Sequence, residues 1–346
     1  MLSIIYNEDI EEIVNNSEIN WELFQNKKIF ITGGTGLICG LLINAILSAN
    51  RKYNLNCQII ALVRNIENVQ KKFENIDREN NLKFIIGDVN NKIIVEEKLD
   101  FIIHAASPTS SKDFIEKPVE TIDTILNGTK NTLELAREKN VKNYIFLSTM
   151  EVYGAQNSDD RITEKSYNLL RSDDVRNCYP LSKFMAENMC FSYSKEFNFS
   201  VNILRLTQTF GAGVNYNDGR VFAEFARCAI ERRNIILHTK GETKRSYLYS
   251  SDAVKAILLV LTKSNNSEIY NVANENTYCS IADMAEIVAK NNNIKVEIEL
   301  DDINKFGYAP TLQLNLNCDK LREIGWKPKY DLNEMYRRLI VDLKEN

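Results

Sequence analysis

Short, almost uninterrupted apolar runs recur along the chain: KKIFITGG (27–34), QIIALVRN (58–65), LKFIIGDV (82–89), DFIIHAAS (100–107), NYIFLSTM (143–150) and FSVNILRLT (199–207). Each is short and rich in β-branched or aromatic residues, as strands are. Most are separated by amphipathic stretches of helical period, such as TIDTILNGTKNTLELAREKN (121–140). Strands that read apolar on both faces and alternate with helices belong to a parallel sheet covered on both sides. The pattern predicts an α/β chain built on a doubly wound, Rossmann-type parallel sheet.

After about Leu206 the alternation weakens, and Gly- and Asn-rich loops mix with helices such as VFAEFARCAIERR (221–233). No tandem repeat or low-complexity linker separates the two parts, so a smaller C-terminal domain is expected to interleave with the first. The expected division is an N-terminal extension over 1–26, a first domain over 27–206 and 247–273, and a second over 207–246 and 274–346. Trp21 and Phe24 are expected to dock the extension.

The composition of the 346 residues, 44% apolar and 26% charged, is ordinary for a soluble globular protein. A net charge of −4 gives no electrostatic reason to expect a nucleic-acid or anionic-membrane partner. The first twenty residues are acidic and lack the basic-then-apolar order of a signal peptide. The most apolar run, GLICGLLINAILSA, falls short of the roughly 18 residues that span a bilayer. A cytoplasmic setting follows as the expectation. Seven cysteines without a C-x-x-C pair fit reduced thiols, and two isolated histidines give no basis for a metal site.

Chemistry enters at ITGGTGLICG, where Gly33 and Gly36 sit between the first strand and the first helix. Glycine there lets the backbone turn sharply and lets a pyrophosphate approach the free N–H groups of a helix N-terminus. The third position of the glycine spacing is Cys39, followed by Gly40. At the end of the second strand an acidic residue would select the ribose hydroxyl of NAD, and an arginine could accept the 2′-phosphate of NADP. The chain offers Arg64 and no acid. That residue is either a phosphate reader or a solvated strand end, so NADP stays open beside NAD.

Two further groups carry reactive side chains. FLSTMEVYGA places the Thr149 hydroxyl two residues before the Glu151 carboxylate, and NCYPLSKFMAEN spaces Tyr179 and Lys183 four apart, on one helix face. A tyrosine working as a base near neutral pH needs its pKa lowered by roughly 3 units, about 4 kcal/mol of differential stabilisation. A nearby ammonium and a cationic cofactor ring would both favour the phenolate. Tyr-x-x-x-Lys alone is commonplace; its weight comes from following the glycine turn and the strand-end hydroxyl. His104 reads as a packed histidine or a neighbour of the cofactor rather than a catalyst.

In this order the motifs TGGTG, GDV, HAAS, NGTKN, STMEVYG, YPLSK, LRLTQTFG, RSYLYSSDAV and GWKP resemble the extended short-chain dehydrogenase/reductase family, the NAD-dependent nucleotide-sugar epimerases, dehydratases and decarboxylases. The resemblance runs from Lys27 to about Tyr330. It implies that the first domain binds the dinucleotide and the second the substrate. Gly33, Thr35, Gly36, Leu37 and Ile38 would hold the pyrophosphate. Asp88 and Val89 would flank the adenine, Arg64 the adenosine ribose, and Ala105, Ala106 and Ser107 would line the cofactor. Thr149, Glu151, Tyr179 and Lys183 form the implied catalytic set. Ser107, Thr149, Gln208, Arg220 and Arg245 would meet a nucleoside-diphosphate sugar. By the same resemblance Tyr179 removes the proton of the sugar 4-hydroxyl, hydride passes to the nicotinamide, and the 4-keto sugar loses water, loses carbon dioxide or rotates. A homodimer and a role in surface polysaccharide synthesis are also family expectations.

Which branch is taken turns on few residues. Glu151 stands where the 4,6-dehydratases have a base for the carbon 5 proton, but the preceding acid common in them is Met150 here. HAASPTSSKDFIEKPVETI and YNDGRVFAEF resemble the UDP-glucuronate decarboxylases. Those enzymes place an arginine near the substrate carboxylate, and YAPTLQLNLNCDKL has no basic residue between Lys305 and Lys320. An unpaired carboxylate in a closed site is costly. Epimerisation or dehydration of a neutral hexose is therefore the expectation, decarboxylation the alternative, and a non-catalytic dinucleotide-binding sensor or scaffold the reading from another class.

Overall fold

The computed structural model describes residues 2–73, 80–156, 158–264, 266–300 and 311–345. Its strands are β1 (Lys28–Thr32), β2 (Gln58–Val63), β3 (Leu82–Ile86), β4 (Phe101–His104), β5 (Asn143–Thr149), β6 (Arg161–Ile162), β7 (Ser200–Leu206), β8 (Gln208–Phe210), β9 (Ile235–Leu237), β10 (Lys244–Tyr249), β11 (Glu268–Val272), β12 (Asn274–Ser280), β13 (Val296–Ile298) and β14 (Gln313–Leu316). Its helices are α1 (Ile4–Val14), α2 (Leu37–Tyr53), α3 (Ile66–Lys72), α4 (Ser111–Glu116), α5 (Pro118–Lys139), α6 (Cys178–Phe197), α7 (Val221–Glu231), α8 (Ser250–Lys263), α9 (Ile281–Asn292), α10 (Asp319–Glu323) and α11 (Leu332–Glu345).

The six apolar runs all become strands of one parallel sheet, ordered β11-β7-β5-β4-β1-β2-β3. Alternate residues of β1 serve opposite layers, as a pleated strand requires. Ile29 and Ile31 join the core beneath α2 and α8, whereas Phe30 joins the core beneath α5 and α6. β3, at one sheet edge, is open to solvent along its length, and β11, at the other, only at its start. The strand order reverses between β1 and β4, so a crevice opens at their C-terminal ends, the usual ligand position in such sheets.

A second sheet runs β12-β10-β14-β6 with β8 alongside β10. Its membership departs from the expected division in two places. β6 lies within 27–206 yet pairs with β14, and β10 runs through the 246/247 boundary. Both departures arise because backbone pairing partners, which local periodicity does not report, assign a strand to a sheet. A third core, built on Phe210, Phe222, Phe225, Met335 and Leu339, lies under α7, α9 and α11.

The N-terminal extension is part of this body. Trp21 and Phe24 are buried as expected, and the Trp21 indole donates to the Val14 carbonyl at 3.1 Å. Glu12 of α1 pairs with Lys255 of α8 at 2.7 Å, while Asp9 accepts from Arg338 of α11 and from the Tyr249 hydroxyl. Among the described residues no helix is long and apolar enough to cross a membrane.

Candidate active site

The turn after β1 is held by Thr32. Its Oγ1 accepts the backbone N–H groups of Ala105 and Ala106, each at 3.0 Å, and lies 2.8 Å from His104 Nδ1. The hydroxyl thus ties the ends of β1 and β4 together where the strand order reverses. Gly33 has φ +72°, and a Cβ there would come within 3.1 Å of the Ala106 nitrogen. Gly36 caps α2 without any side-chain bond, which leaves the first N–H groups of that helix facing the crevice. Thr35, Leu37 and Ile38 follow on this turn. A glycine cradle in front of an uncapped helix fits the pyrophosphate of a dinucleotide.

The other expected cofactor residues surround this turn unequally. Ala105, Ala106 and Ser107 follow β4 and are partly exposed, with the Ser107 hydroxyl 3.1 Å from the Pro108 carbonyl. Val89 is buried and its carbonyl accepts from Asn131 at 2.8 Å; the Asp88 carboxylate closes a local turn by accepting the Asn90 N–H. Arg64 stands exposed beyond the end of β2. His104 is buried, and burial together with the charge of Lys183 pushes it down to about 3, so it stays neutral. This agrees with a packing role.

The expected catalytic residues converge at the end of β5. Thr149 ends the strand, its Oγ1 capping the following turn by accepting the Glu151 N–H at 3.3 Å, and its hydroxyl lies near enough to the Tyr179 phenol to favour the phenolate. One turn along α6, Lys183 Nζ donates to the Leu147 carbonyl at 2.8 Å and lies over the Phe146 ring. Burial pushes Lys183 down to about 8, against the opposing charge of Glu187. Tyr179 itself stands well above the usual phenol range, raised by burial and then by Glu151. The nearby Thr149 hydroxyl, Arg176 and Arg220 pull it back. The depression expected of a working base is thus not set by the protein alone, because a buried phenolate is poorly solvated until a cation enters the site.

Three positions escaped the sequence reading. Arg176 Nη1 donates to Glu151 Oε2 at 2.9 Å, and its place three residues ahead of Tyr179 was the available signal. Glu187, four residues beyond Lys183 on α6, takes the Arg205 guanidinium at 2.6 Å and the Ser148 hydroxyl at 2.5 Å. That buried group pins α6 to β5 and β7. Thr32 is the third.

Among the expected substrate residues, Gln208 of β8 and Arg245 of β10 face one another, with Arg245 Nη1 3.3 Å from Gln208 Oε1. Arg245 Nε is buried and unbonded. Arg220 caps α7 and pairs with Asp218 at 2.6 Å. Leu312 and Leu314 line the cleft beside Glu151, Arg176 and Pro180. Residues 308–310, the start of the segment whose lack of basic residues weighed against decarboxylation, lie outside the described residues.

The chain belongs to the NAD dependent epimerase/dehydratase family, whose model matches residues 29–273. Its dinucleotide is accordingly NAD. It is 27% identical to the human dTDP-D-glucose 4,6-dehydratase over 92% of this chain and 91% of that protein. It is 29% identical to UDP-glucuronic acid decarboxylase 6 of Arabidopsis thaliana, covering 91% and 88% of the two chains. Among solved structures, a UDP-glucose 4-epimerase from Thermotoga maritima shares the fold with TM-score 0.77 at 19% identity, over 92% of this chain and 99% of that one. A dTDP-glucose 4,6-dehydratase from Bacillus anthracis in complex with NAD gives 0.76 at 22% identity, over 92% and 97%.

Proposed function

We propose that this chain is an enzyme that oxidises carbon 4 of the hexose in a nucleoside-diphosphate sugar and carries the 4-keto sugar on to an epimer or a dehydrated product. The placing of the Thr149 hydroxyl beside the Tyr179 phenol, with Lys183 one turn further along α6, carries this reading. The Thr149 hydroxyl orients the sugar 4-hydroxyl and Tyr179 takes its proton. NAD, when bound, supplies the acceptor for the carbon 4 hydride. Gly33, Gly36 and the N-terminus of α2 hold its pyrophosphate, and Lys183 lies one turn from Tyr179 to orient the nicotinamide ribose. Arg245, with an unanswered buried N–H, and Gln208 receive the diphosphate.

In the dehydratase branch Glu151 takes the carbon 5 proton and delivers it to the departing hydroxyl as water leaves, because Met150, in the place of the usual acid, cannot supply one. Decarboxylation of a hexuronate is the second reading, and Arg176 favours it. Beside its pair with Glu151, Arg176 keeps a buried Nε–H without a partner, which supports its meeting a substrate carboxylate while Glu151 stays bonded. The exposed apolar residues Ile115, Val119, Phe184 and Met185 on the α4–α6 face support a homodimer through α5 and α6. Seven free cysteines, six of them buried, suit a cytoplasmic setting.

Incubation of the NAD-loaded protein with UDP-, GDP-, CDP- and dTDP-hexoses and with UDP-glucuronate in deuterated water, followed by mass spectrometry, separates these branches. Loss of water marks dehydration, loss of carbon dioxide marks decarboxylation, and unchanged mass with altered retention marks epimerisation. No change with any of them counts against the enzyme reading.

A further inference from the structure

Arg176 sits on a single helical turn, Val175–Asn177, that leads directly into α6. The turn is fixed from both sides: the Asp174 carboxylate accepts the Arg176 N–H at 3.0 Å, and the Asn177 amide donates to the Arg171 carbonyl at 2.9 Å. The guanidinium pairs with Glu151 while both side chains are largely buried, 11% and 18% exposed. It also lies 5.8 Å from the centroid of Phe114. Phe114 in turn stacks on Tyr179, with centroids 4.2 Å apart and planes 8° from parallel. Glu151, Arg176, Phe114 and Tyr179 therefore form one contact group.

Two acids that share a poorly solvated site oppose each other's ionisation. The Glu151 carboxylate makes the Tyr179 phenolate costlier. A cation bonded to the carboxylate cancels most of its field at the phenol. We propose that Arg176 is a positioning residue that holds the Glu151 carboxylate in place at the cleft and, by neutralising its charge, uncouples it from the ionisation of Tyr179. This rests on the reading of Tyr179 as the base for carbon 4.

The charged and titratable groups around the pair leave this task to Arg176. From the turn after β5 comes Glu151; from the turn ahead of α6 come Asp174 and Arg176; from the start of α7 comes Arg220; and α6 itself carries Cys178 and Lys183. Arg220 is bonded to Asp218, Arg171 at the cleft wall to Asp173, and Lys183 to the Leu147 carbonyl. Glu151 raises the phenol, whereas Arg176 and Arg220 lower it. Arg176 alone of these cations has as its partner the acid that opposes Tyr179.

The test is a carbon-13 NMR titration of tyrosine Cζ in the NAD-loaded protein, with the Tyr179 signal assigned by its loss in Tyr179→Phe. In Arg176→Gln the Tyr179 titration should move to higher pH by about one pH unit or more. Arg176→Lys, which keeps the charge, should restore most of the wild-type midpoint. Arg176→Gln combined with Glu151→Gln should also restore it, because the opposing charge is gone. A purely structural role predicts no rescue by the second change; equal midpoints in wild type and Arg176→Gln, or a double variant no better than the single, would overturn the proposal. Turnover of dTDP-glucose or UDP-glucuronate by Tyr179→Phe is measured alongside. Survival of turnover there removes the base assignment, a failure separate from that of the titration.

Discussion

Arg338 of α11 and Asp9 of α1 meet at 2.7 Å with side chains 5% and 0% exposed, and the Tyr249 hydroxyl donates to the same carboxylate at 2.9 Å. Two ends of the chain, 329 residues apart, are thereby closed over the end of β10. Replacing Arg338 with Met leaves Asp9 buried without its cation. Such a loss destabilises by roughly 3–5 kcal/mol. Thermal unfolding should show a clear drop in midpoint for Arg338→Met and a smaller one for Arg338→Met with Asp9→Leu; equal midpoints in wild type and single variant would remove the clasp.

Tyr179→Phe should lower turnover by about 10²- to 10⁴-fold, the usual contribution of a positioned base. NAD affinity, followed by calorimetric titration, should stay within a few-fold of wild type, since the glycine turn is untouched.

Arg245→Met should weaken nucleotide-sugar binding by roughly 10- to 100-fold, the worth of a hydrogen bond to a charged group at about 1.5–3 kcal/mol. The rise should appear in KM, with kcat little changed. A fall in kcat alone would place Arg245 in the chemistry instead.

His104 gives the protein a defined acid limb. It is neutral in the fold with a pKa near 3, whereas the unfolded chain protonates its histidines near 6.5. Between those values the unfolded state binds more protons, so stability is lost as pH falls from about 6.5 towards 3 and is fully present above that window. Denaturant unfolding from pH 7 to pH 4 should show this slope, and His104→Gln should flatten it.

Gly33→Ala combines a left-handed φ with a contact at 3.1 Å to the Ala106 nitrogen. The backbone penalty alone is roughly 1–2 kcal/mol. NAD binding should fall at least tenfold, read by fluorescence titration, with a parallel loss of thermal stability.

Much of this site was legible in advance because its parts are local. The glycine turn follows from a strand end and a helix start adjacent in sequence, and Tyr179 and Lys183 share a face through helical spacing alone. The charge environment was not legible. Arg176 lies 25 residues from Glu151 and Arg205 lies 18 from Glu187, separations at which no periodicity links one side chain to another. The apolar surroundings of Tyr179 were hidden for a related reason: it stacks on Phe114, a residue from another helix.

Alternating apolar runs determined a parallel sheet, since a strand buried on both faces needs helices over each, and the glycine spacing determined where an anion can approach the backbone. Tertiary structure decided the membership of β6 and β10 in the second sheet, the partnering of Arg176 with Glu151, and the docking of α1. These depend on which distant groups meet as the chain closes, where burial strengthens every charge interaction and leaves any unpaired group costly.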